Sequence, residues 1–263
     1  MKKHLKLYKE FIKIDFKRIT FQNIDFLIGN LGYLLDALST FFSTLLVITV
    51  ADSIGGWNTY QIVFLSSYML LVSSLWELFC VTTLDIPDLV ISGQLDTYLV
   101  RPLNTLFQII TREIDEQSIF EVIFSAICLG VCWYNLELEF SFIYVTIFLL
   151  FLLSSILVLE SIYLAISSLS FWIGNSLGGL KILWELKQIC KYPLTIYPVY
   201  LKAILIIVPF AFISFFPVKK VLYLNPVLNV DTIICIFSGP IFFLASYMFI
   251  WKKGLKVYNS TGS

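Results

Sequence analysis

Histidine is nearly absent from this sequence of 263 residues, which has a single one, His4. A serine-type catalytic triad uses a histidine as its general base, and a Cys/His zinc site needs several such ligands close together. Neither type of site is expected here. The cysteines lie in or beside apolar runs, so we expect small apolar packing residues and no disulfide framework. They are Cys80, Cys128, Cys132, Cys190 and Cys235.

Charge is also scarce in this chain. Only 14% of the residues are charged, whereas about 25% is usual for a soluble domain. The formal net charge is zero, so nothing electrostatic points to nucleic acid as a partner. Hydrophobic residues make up 59% of the chain, and its mean hydropathy is +0.87. One soluble core cannot bury this surplus, and we therefore expect membrane lipid around most of the chain.

Complete motifs for ATP hydrolysis and for zinc-dependent hydrolysis are missing. A P-loop has the pattern G-x4-G-K-[ST], whose backbone amides and lysine hold phosphate. The nearest stretch, at 174–181, has the glycine spacing, but Leu180 stands where the lysine is required. The pattern G-x-S-x-G occurs once, at 174–178, but a serine nucleophile there would need a histidine base, and the single histidine, His4, lies in the basic N-terminal segment. The pattern H-E-x-x-H does not occur. We expect no catalytic residue, no metal site and no bound cofactor in this chain.

Six apolar stretches are long enough to cross a membrane, since a hydrocarbon core of about 30 Å takes roughly 20 apolar residues in a helix. The sequence therefore predicts an all-α integral membrane protein with six transmembrane helices, in a domain of residues 27–258. The last residues, 259–263, are expected to be an appended tail. The predicted spans are 27–51, 60–83, 117–134, 141–173, 199–218 and 232–251.

Lysine and arginine are unevenly distributed over the connections, and this distribution predicts the orientation of the chain. Basic residues occur in both terminal segments and in the connections 84–116 and 174–198, whereas 52–59 and 135–140 have none. We therefore expect a multi-pass protein of the plasma (inner) membrane. Both termini and the two basic connections would be cytosolic.

The N-terminal segment, 1–26, is both basic and apolar. Its pattern favours an amphipathic helix that lies on the inner membrane surface, and an ordinary basic flank of the first span is the alternative. The segment lacks an A-x-A-like cleavage site, so we do not expect a signal peptide. The apolar residues at helical spacing are Leu5, Tyr8, Ile12, Phe16 and Ile19.

A short charged stretch, DIPDLVISGQLDTYLVRPLN (residues 85–104), interrupts the apolar sequence between spans two and three. The Asp85 side chain can cap the start of a helix, and Pro87 suits the first turn of that helix. Gly93 can end that helix in the left-handed conformation, and Asp96 can start a second one. The pattern therefore predicts a compact helix–turn–helix element on the cytosolic side.

The predicted element mixes charged and apolar side chains and closes at Arg101-Pro102. Such a surface suits docking onto another protein. A well-capped loop that binds nothing is an equally open alternative on physical grounds. The side chains concerned are Asp85, Asp88, Leu89, Val90, Leu95, Asp96, Leu99 and Arg101.

The first amphipathic helix, the six spans and this inner loop together resemble an ABC exporter permease of the type-2 (ABC-2) class. More narrowly, the loop is similar to a subgroup pattern, acidic-x-Pro-acidic-Leu…Gly-x-Leu-Asp…Leu-x-Arg-Pro-x-Asn. The resemblance implies that 4–26 is a connecting helix and that the loop is the coupling helix, which docks on a cytosolic ATPase. The implied docking residues are Asp85, Pro87, Asp88, Leu89, Gly93, Leu95, Asp96, Leu99, Arg101 and Pro102.

The resemblance also implies a larger assembly. Two cytosolic ABC ATPase subunits would hold ATP and Mg²⁺, so this chain itself would not be an enzyme. A second permease, identical or a paralogue, would complete a transporter in a bacterial membrane. The implied function is export of a hydrophobic or amphipathic substrate, such as a drug, a peptide or a lipid, out of the cytosol or the inner leaflet.

One connection departs from the charge distribution. Residues 219–231 are predicted outside, yet they include Lys219 and Lys220. In the ABC-2 class, short helices between spans five and six dip back into the bilayer from outside. Because this connection is apolar and contains Pro226, it resembles such a re-entrant segment, with the lysines reaching the outer headgroups.

Acidic residues also occur inside the predicted spans, where charge is costly and marks functional candidates. At 1.5 Å per residue, all of them fall in the cytosolic half. One hypothesis is an acidic inner vestibule that forms the substrate path for cationic or amphipathic cargo. The other is that each acid pairs with a basic or hydroxyl group and holds helices together. These residues are Asp36, Glu77, Glu121 and Glu160.

An ion- or proton-coupled secondary transporter, with the membrane acids as its relay, is the alternative function. Many such carriers have internal inverted repeats, and this sequence shows none. A membrane-embedded enzyme is a weaker alternative, because the chain offers no pair of nucleophile and base.

Overall fold

The computed structural model describes residues 23–50, 55–223 and 229–259, and these residues are helical or irregular with no β-sheet. Most of the predicted interfacial helix, residues 1–22, lies outside the described residues. Pro226 of the predicted re-entrant segment lies outside them as well. In chain order the helices are α1 (Asn23–Val50), α2 (Thr59–Cys80), α3 (Ile86–Ile91), α4 (Asp96–Leu99), α5 (Thr105–Ile110), α6 (Ile119–Asn135), α7 (Phe142–Ser168), α8 (Ser170–Ile173), α9 (Leu177–Ile189), α10 (Val199–Ile207), α11 (Phe215–Leu222), α12 (Val230–Ala245) and α13 (Lys252–Val257).

Short irregular turns link several of these helices. A π-helical segment, Ser246–Trp251, joins α12 to α13. Within the described ranges, five helical segments are long and apolar enough to cross a membrane, and α10 with α11 forms a bent sixth candidate. The five are Phe26–Leu46, Thr59–Ile91, Glu116–Asn135, Phe142–Ile173 and Val230–Val257.

The bundle has two ends. We call one the loop end, where residues 81–118 join α2 to α6, and the other the far end, where residues 136–141 join α6 to α7. At the loop end the side-chain amide of Asn30 donates to Glu116 O at 3.1 Å, which ties α1 to the start of α6. The Phe171 and Trp251 rings, 5.3 Å apart, bring the end of α7 and the end of α12 to the same side.

Helix α2 is the centre of the bundle, since its side chains are buried on nearly every side from Ile62 to Glu77. Trp76 stacks on Tyr163 of α7 with ring centroids 4.3 Å apart. The Tyr68 and Ser155 hydroxyls lie 3.0 Å apart and link the same two helices. A helix that is apolar all round is typical of a fully enclosed position, and α2 occupies one.

Residues 177–197 run from the loop end to the far end. At the loop end, the Ser176 hydroxyl donates to Ser167 O at 3.3 Å, beside the end of α7. At the far end, a Cβ placed on Gly55 would lie 2.3 Å from Thr195 Oγ1, so Thr195 is next to the residues that precede α2. The chain between these two contacts therefore crosses the bundle antiparallel to α2.

The helices α10 and α11 form a bent pair at the far end. Their axes differ by 76° at the break around Pro209. The Trp57 ring, which lies just before α2, is 5.8 Å from the Phe215 ring and 6.3 Å from the Tyr223 ring. Because both ends of α11 are at the far end, the pair enters the bundle and returns without crossing it.

These contacts differ from the predicted fifth span, 199–218, and from the predicted cytosolic connection, 174–198. We infer that 177–197 make the fifth crossing. Hydropathy favours 199–218 because that stretch is uncharged up to Val218 apart from Lys202, whereas 177–191 carry three lysines and a glutamate. Two of those lysines, Lys187 and Lys191, have partners inside the bundle.

Cysteine labelling tests this crossing. In a variant without its native cysteines, Lys181→Cys at the loop end and Tyr200→Cys at the far end are expected to react with a membrane-impermeant maleimide from opposite sides of the membrane. Both native side chains are exposed. Glu139→Cys, between α6 and α7, is the reference and is expected to react from the same side as Tyr200→Cys. Reaction of the residue 181 and residue 200 variants from one side would contradict the crossing.

Candidate functional site

The element at 85–104 is folded as two short helices joined by a glycine turn. Helix α3 starts after Asp85, with Pro87 as its second residue, where a missing N–H costs nothing. Gly93 has φ +72°, a left-handed conformation that favours glycine. The Leu95 N–H then donates to Leu89 O at 3.0 Å, which folds α4 back towards α3.

Asp85 lies at the N-cap position of α3, but its side chain makes no capping hydrogen bond. Instead, its carboxylate accepts a hydrogen bond from the guanidinium of Arg112, which lies beyond α5. The ion pair is half-exposed. The prediction that the Asp85 side chain caps the helix is therefore wrong. The physical reason is that Arg112 offers a charged donor, and charge-assisted hydrogen bonds are stronger than neutral ones.

The apolar side chains of the element point into the bundle. Leu89, Val90 and Leu95 are buried in a cluster with Phe171 and Trp251, which come from the ends of α7 and α12. Pro87 is also buried. This arrangement differs from the predicted docking surface, which included Pro87, Leu89 and Leu95, because these side chains anchor the element to the bundle instead.

The opposite side of the element is exposed and mixes charge with apolar groups. Val100 is 83% exposed, and Ile91 and Leu99 are 45% and 41% exposed. Asp88, Arg101 and Pro102 are exposed as well, while Asp85, Gly93 and Asp96 are half-buried. We call the exposed residues Asp88, Ile91, Leu99, Val100, Arg101 and Pro102 the outward face.

Polar contacts tie the element to the last helix. The side-chain amide of Asn104 donates to the Tyr247 hydroxyl at 2.7 Å, and Tyr247 lies in the π-helical segment. The side-chain amide of Gln108 donates to the carbonyls of Tyr98 and Leu103, both at 3.1 Å. These hydrogen bonds connect the element with the π-helical segment that follows α12 and with α5.

A polar cavity of about 520 Å³ lies between α1, α2, α6 and α9 in the loop-end half of the bundle. It brings together three of the four acids predicted from the sequence, Asp36, Glu77 and Glu121, and it also contains Lys187 and Lys191. The remaining lining includes Ile28, Gly29, Gly32, Tyr33, Leu70, Ser73, Gln117, Trp184 and Gln188. The volume is in the range of ligand-binding pockets.

The carboxylate of Glu77 has a counter-ion inside this cavity. The Lys187 ammonium is 3.0 Å from Glu77 Oε1, and both side chains are buried. The same ammonium lies 3.7 Å from the centroid of the Trp184 ring, which adds a cation–π contact. The ion pair joins α9 to α2 and gives the fifth crossing its charged anchor.

Glu121 and Asp36 differ from Glu77 in having no ion pair among the described residues. Glu121 is only 4% exposed, and the structure gives its carboxylate no hydrogen bond. Asp36 is exposed on the cavity side of α1. The Lys191 ammonium donates to Thr40 Oγ1 at 3.0 Å and is within electrostatic range of Asp36 and Glu121 without an ion pair to either.

Tyr33 marks the loop-end margin of the cavity. Its hydroxyl donates to Asp115 Oδ2 at 3.1 Å. Burial raises the pKa of Asp115, and the hydrogen bonds from Gln117 N–H and Tyr33 oppose this rise. The contact holds α1 against the loop that leads into α6.

Glu160 is not part of the cavity. Its two carboxylate oxygens accept hydrogen bonds from Trp76 Nε1 at 2.7 Å and from Thr83 Oγ1 at 2.9 Å. All three side chains are fully or almost fully buried. This agrees with the alternative in which a membrane acid holds helices together, and Glu160 does so between α7 and the end of α2.

Sequence reasoning left out several residues that the structure places in the cavity, notably Tyr33, Trp184 and Lys191. For Trp184 and Lys191 the signal was present in the amphipathic spacing of 177–191, where charges alternate with apolar residues. The five cysteines are unpaired, and the described ranges contain no group of three or more His, Cys, Asp or Glu side chains placed to hold a metal ion.

Comparison with curated proteins finds no match. A family model, described as ABC-2 family transporter protein, matches residues 34–262, which include every described helix from within α1 onwards. The match covers most of the bundle, the element at 85–104, the bent pair and the part of the cavity lining from Asp36 onwards. The chain therefore belongs to the ABC-2 transporter family.

Proposed function

We propose that this chain is the permease subunit of an ATP-driven exporter, and that the outward face at 85–104 docks on a cytosolic ABC ATPase. The observation that carries the proposal is that this element has one buried apolar side and one exposed, partly charged side. Its apolar side is buried against α7 and α12, while its other side is exposed and presents Asp88 and Arg101 beside Val100.

Such an element is suited to passing on a motion. ATP binding would close the two ATPase subunits, and the outward face would follow the ATPase surface. The Asn104–Tyr247 hydrogen bond and the packing of Trp251 would then bias α12 between two arrangements. A change of conformation requires different contacts in the two states, and the ATPase dimer supplies that difference.

The composition of the assembly follows from what this chain lacks. Its only P-loop-like stretch has Leu180 in place of the essential lysine, so ATP and Mg²⁺ would be held by two separate ATPase subunits. A second permease, identical or a paralogue, would complete the pathway. The exposed apolar side chains of α1, including Leu31, Leu35 and Leu46, offer a surface for lipid or for that second permease.

The proposed cargo is a hydrophobic or amphipathic molecule that leaves the cytosol or the inner leaflet. The loop end would be cytosolic, with both chain termini on that side of a bacterial inner membrane. The lysines of the C-terminal segment, Lys252, Lys253 and Lys256, support this orientation under the positive-inside rule.

Co-purification tests the docking surface. The tagged full-length chain, expressed in its source cell and extracted in mild detergent, is expected to retain an ABC ATPase that native mass spectrometry detects. The double charge reversal Asp88→Lys and Arg101→Glu is expected to lower the retained ATPase about tenfold or more, because like charges at an interface cost several kcal/mol. Glu139→Lys, an exposed far-end reversal, is the matched control and should retain the ATPase.

Each outcome of this experiment has a distinct meaning. An ATPase retained equally by all variants would place the docking surface elsewhere on the chain. A wild-type chain that retains no ATPase under any condition would contradict the ATP-driven function and favour the ion-coupled carrier.

A further inference from the structure

The cavity between α1, α2, α6 and α9 has an unequal set of charges. Among the described residues its acids are Asp36, Glu77 and Glu121, its bases are Lys187 and Lys191, and Tyr33 is the other titratable side chain of the lining. Lys187 forms an ion pair with Glu77. Lys191 makes its hydrogen bond to Thr40 rather than to a carboxylate.

Glu121 is the residue that the fold leaves without a counterpart. It is 4% exposed, it lines the cavity, and its carboxylate has no hydrogen bond or ion pair among the described residues. A buried carboxylate without a partner is costly. The acids that hold helices together in this bundle have partners. Glu160 accepts a hydrogen bond on each oxygen, and Glu77 is paired with Lys187.

We propose that this cavity binds the single positively charged group of an amphipathic substrate, with Glu121 and Asp36 as its carboxylates and the Trp184 ring as an aromatic wall. The proposal names a substrate class for the exporter and rests on that function for transport. Binding itself needs only the permease. The apolar part of such a substrate would lie along Ile28 and Leu70, which also line the cavity.

The chain already contains one example of this recognition. The Lys187 ammonium sits between a carboxylate at 3.0 Å and an indole ring at 3.7 Å. Carboxylate and aromatic face are the two groups that attract an organic cation. Glu121 and Asp36 provide carboxylates of the same kind in the same cavity, and neither forms an ion pair with a described residue, although Lys191 is within electrostatic range of both.

Space for the substrate comes partly from α1. Gly32 lines the cavity, and a Cβ at Gly32 would meet nothing within 4 Å. Replacement of Gly32 by leucine would therefore reduce the free volume without a backbone clash. Since leucine is a better helix former than glycine, this variant is expected to fold.

Equilibrium dialysis with two probes of nearly equal shape tests the proposal. The cationic probe is methyltriphenylphosphonium, and the neutral probe is triphenylphosphine oxide. The full-length permease is reconstituted in lipid nanodiscs without an ATPase, and binding to empty nanodiscs is subtracted. We expect saturable binding of the phosphonium to the wild type, with the neutral probe about tenfold weaker or more, because it cannot pair with a carboxylate.

The variants separate charge from shape. Glu121→Gln is expected to weaken phosphonium binding about tenfold or more and to leave the neutral probe unchanged. Gly32→Leu is expected to weaken both probes. Glu139→Gln, which removes an exposed acid at the far end, is the matched control and should leave both affinities unchanged.

Three results would overturn the proposal: no saturable phosphonium binding to the wild type, equal affinity for both probes, or a Glu121→Gln variant that binds the phosphonium as the wild type does. None of these depends on an ATPase. Failure of the co-purification experiment would therefore contradict the exporter function while leaving a measured cation site intact, and the reverse result would leave an exporter with a different substrate class.

Discussion

Replacement of Lys187 by methionine is expected to lower the free energy of unfolding by about 3–5 kcal/mol, because it leaves the carboxylate of Glu77 buried without a counter-ion. The two groups are 3.0 Å apart, and their side chains are only 5% and 6% exposed. Loss of the ammonium also removes the contact with the Trp184 ring. Thermal unfolding of the purified protein in mild detergent, followed by tryptophan fluorescence, measures the effect.

The matched control is Lys181→Met, on the same helix but exposed, for which we expect a change within about 0.5 kcal/mol. The second-site change Glu77→Gln in the Lys187→Met background is expected to recover most of the loss, because it removes the unpaired charge. A double-mutant cycle then gives the coupling between the two residues. A Lys187→Met protein as stable as the Lys181→Met protein would show that the buried pair does not hold α9 against α2.

A methyl group at Gly239 is expected to destabilise the bundle by about 1–3 kcal/mol through overpacking. The Cβ of Gly239→Ala would lie 2.3 Å from Ser154 O and 2.7 Å from Ser154 Cα. Both are backbone atoms and cannot rotate away, so α12 and α7 would have to separate. Small residues allow helices in membranes to approach this closely.

Separation of α7 and α12 would also break a local hydrogen-bond network. The Ser154 hydroxyl donates to Cys235 O at 2.6 Å and accepts from the Gly239 N–H at 3.0 Å. Gly130→Ala in α6 is the control, because a Cβ there meets nothing within 4 Å, and it should be neutral or stabilising by up to about 1 kcal/mol. Equal unfolding temperatures for the two variants would refute close backbone packing at Gly239.

The sequence alone was sufficient to predict the turn geometry at 85–104. Pro87 near the start of α3 and the left-handed Gly93 are local preferences of single residues, and neighbours in the fold do not need to be known. The partner of the Asp85 side chain could not be predicted without knowing its neighbours in the fold. Its partner Arg112 is 27 positions away in the chain, and the ion pair replaces the expected cap.

The side of the 85–104 element that faces outward could not be predicted in the same way. Leu89 and Leu95 are as apolar as Leu99, yet the first two are buried and Leu99 is 41% exposed. What distinguishes them is the position of Phe171 and Trp251, which come from distant parts of the chain. A pattern of apolar residues predicts that some of these side chains are buried. Only the packing shows which of them are buried and against which neighbours.

The sequence by itself determined that the chain is an all-helical membrane protein with five or six candidate spans, because the hydropathy and length of a span are set by the polarity and thickness of the surrounding lipid. The tertiary structure showed which acids lie together, and its contacts are the basis on which we infer that 177–197 make the fifth crossing. A charged stretch such as 177–191 can lie inside the bundle only when another helix supplies the opposite charge, as Glu77 does for Lys187. That pairing joins residues 110 positions apart, so hydropathy alone favoured the apolar stretch 199–218, most of which the structure folds as a bent pair.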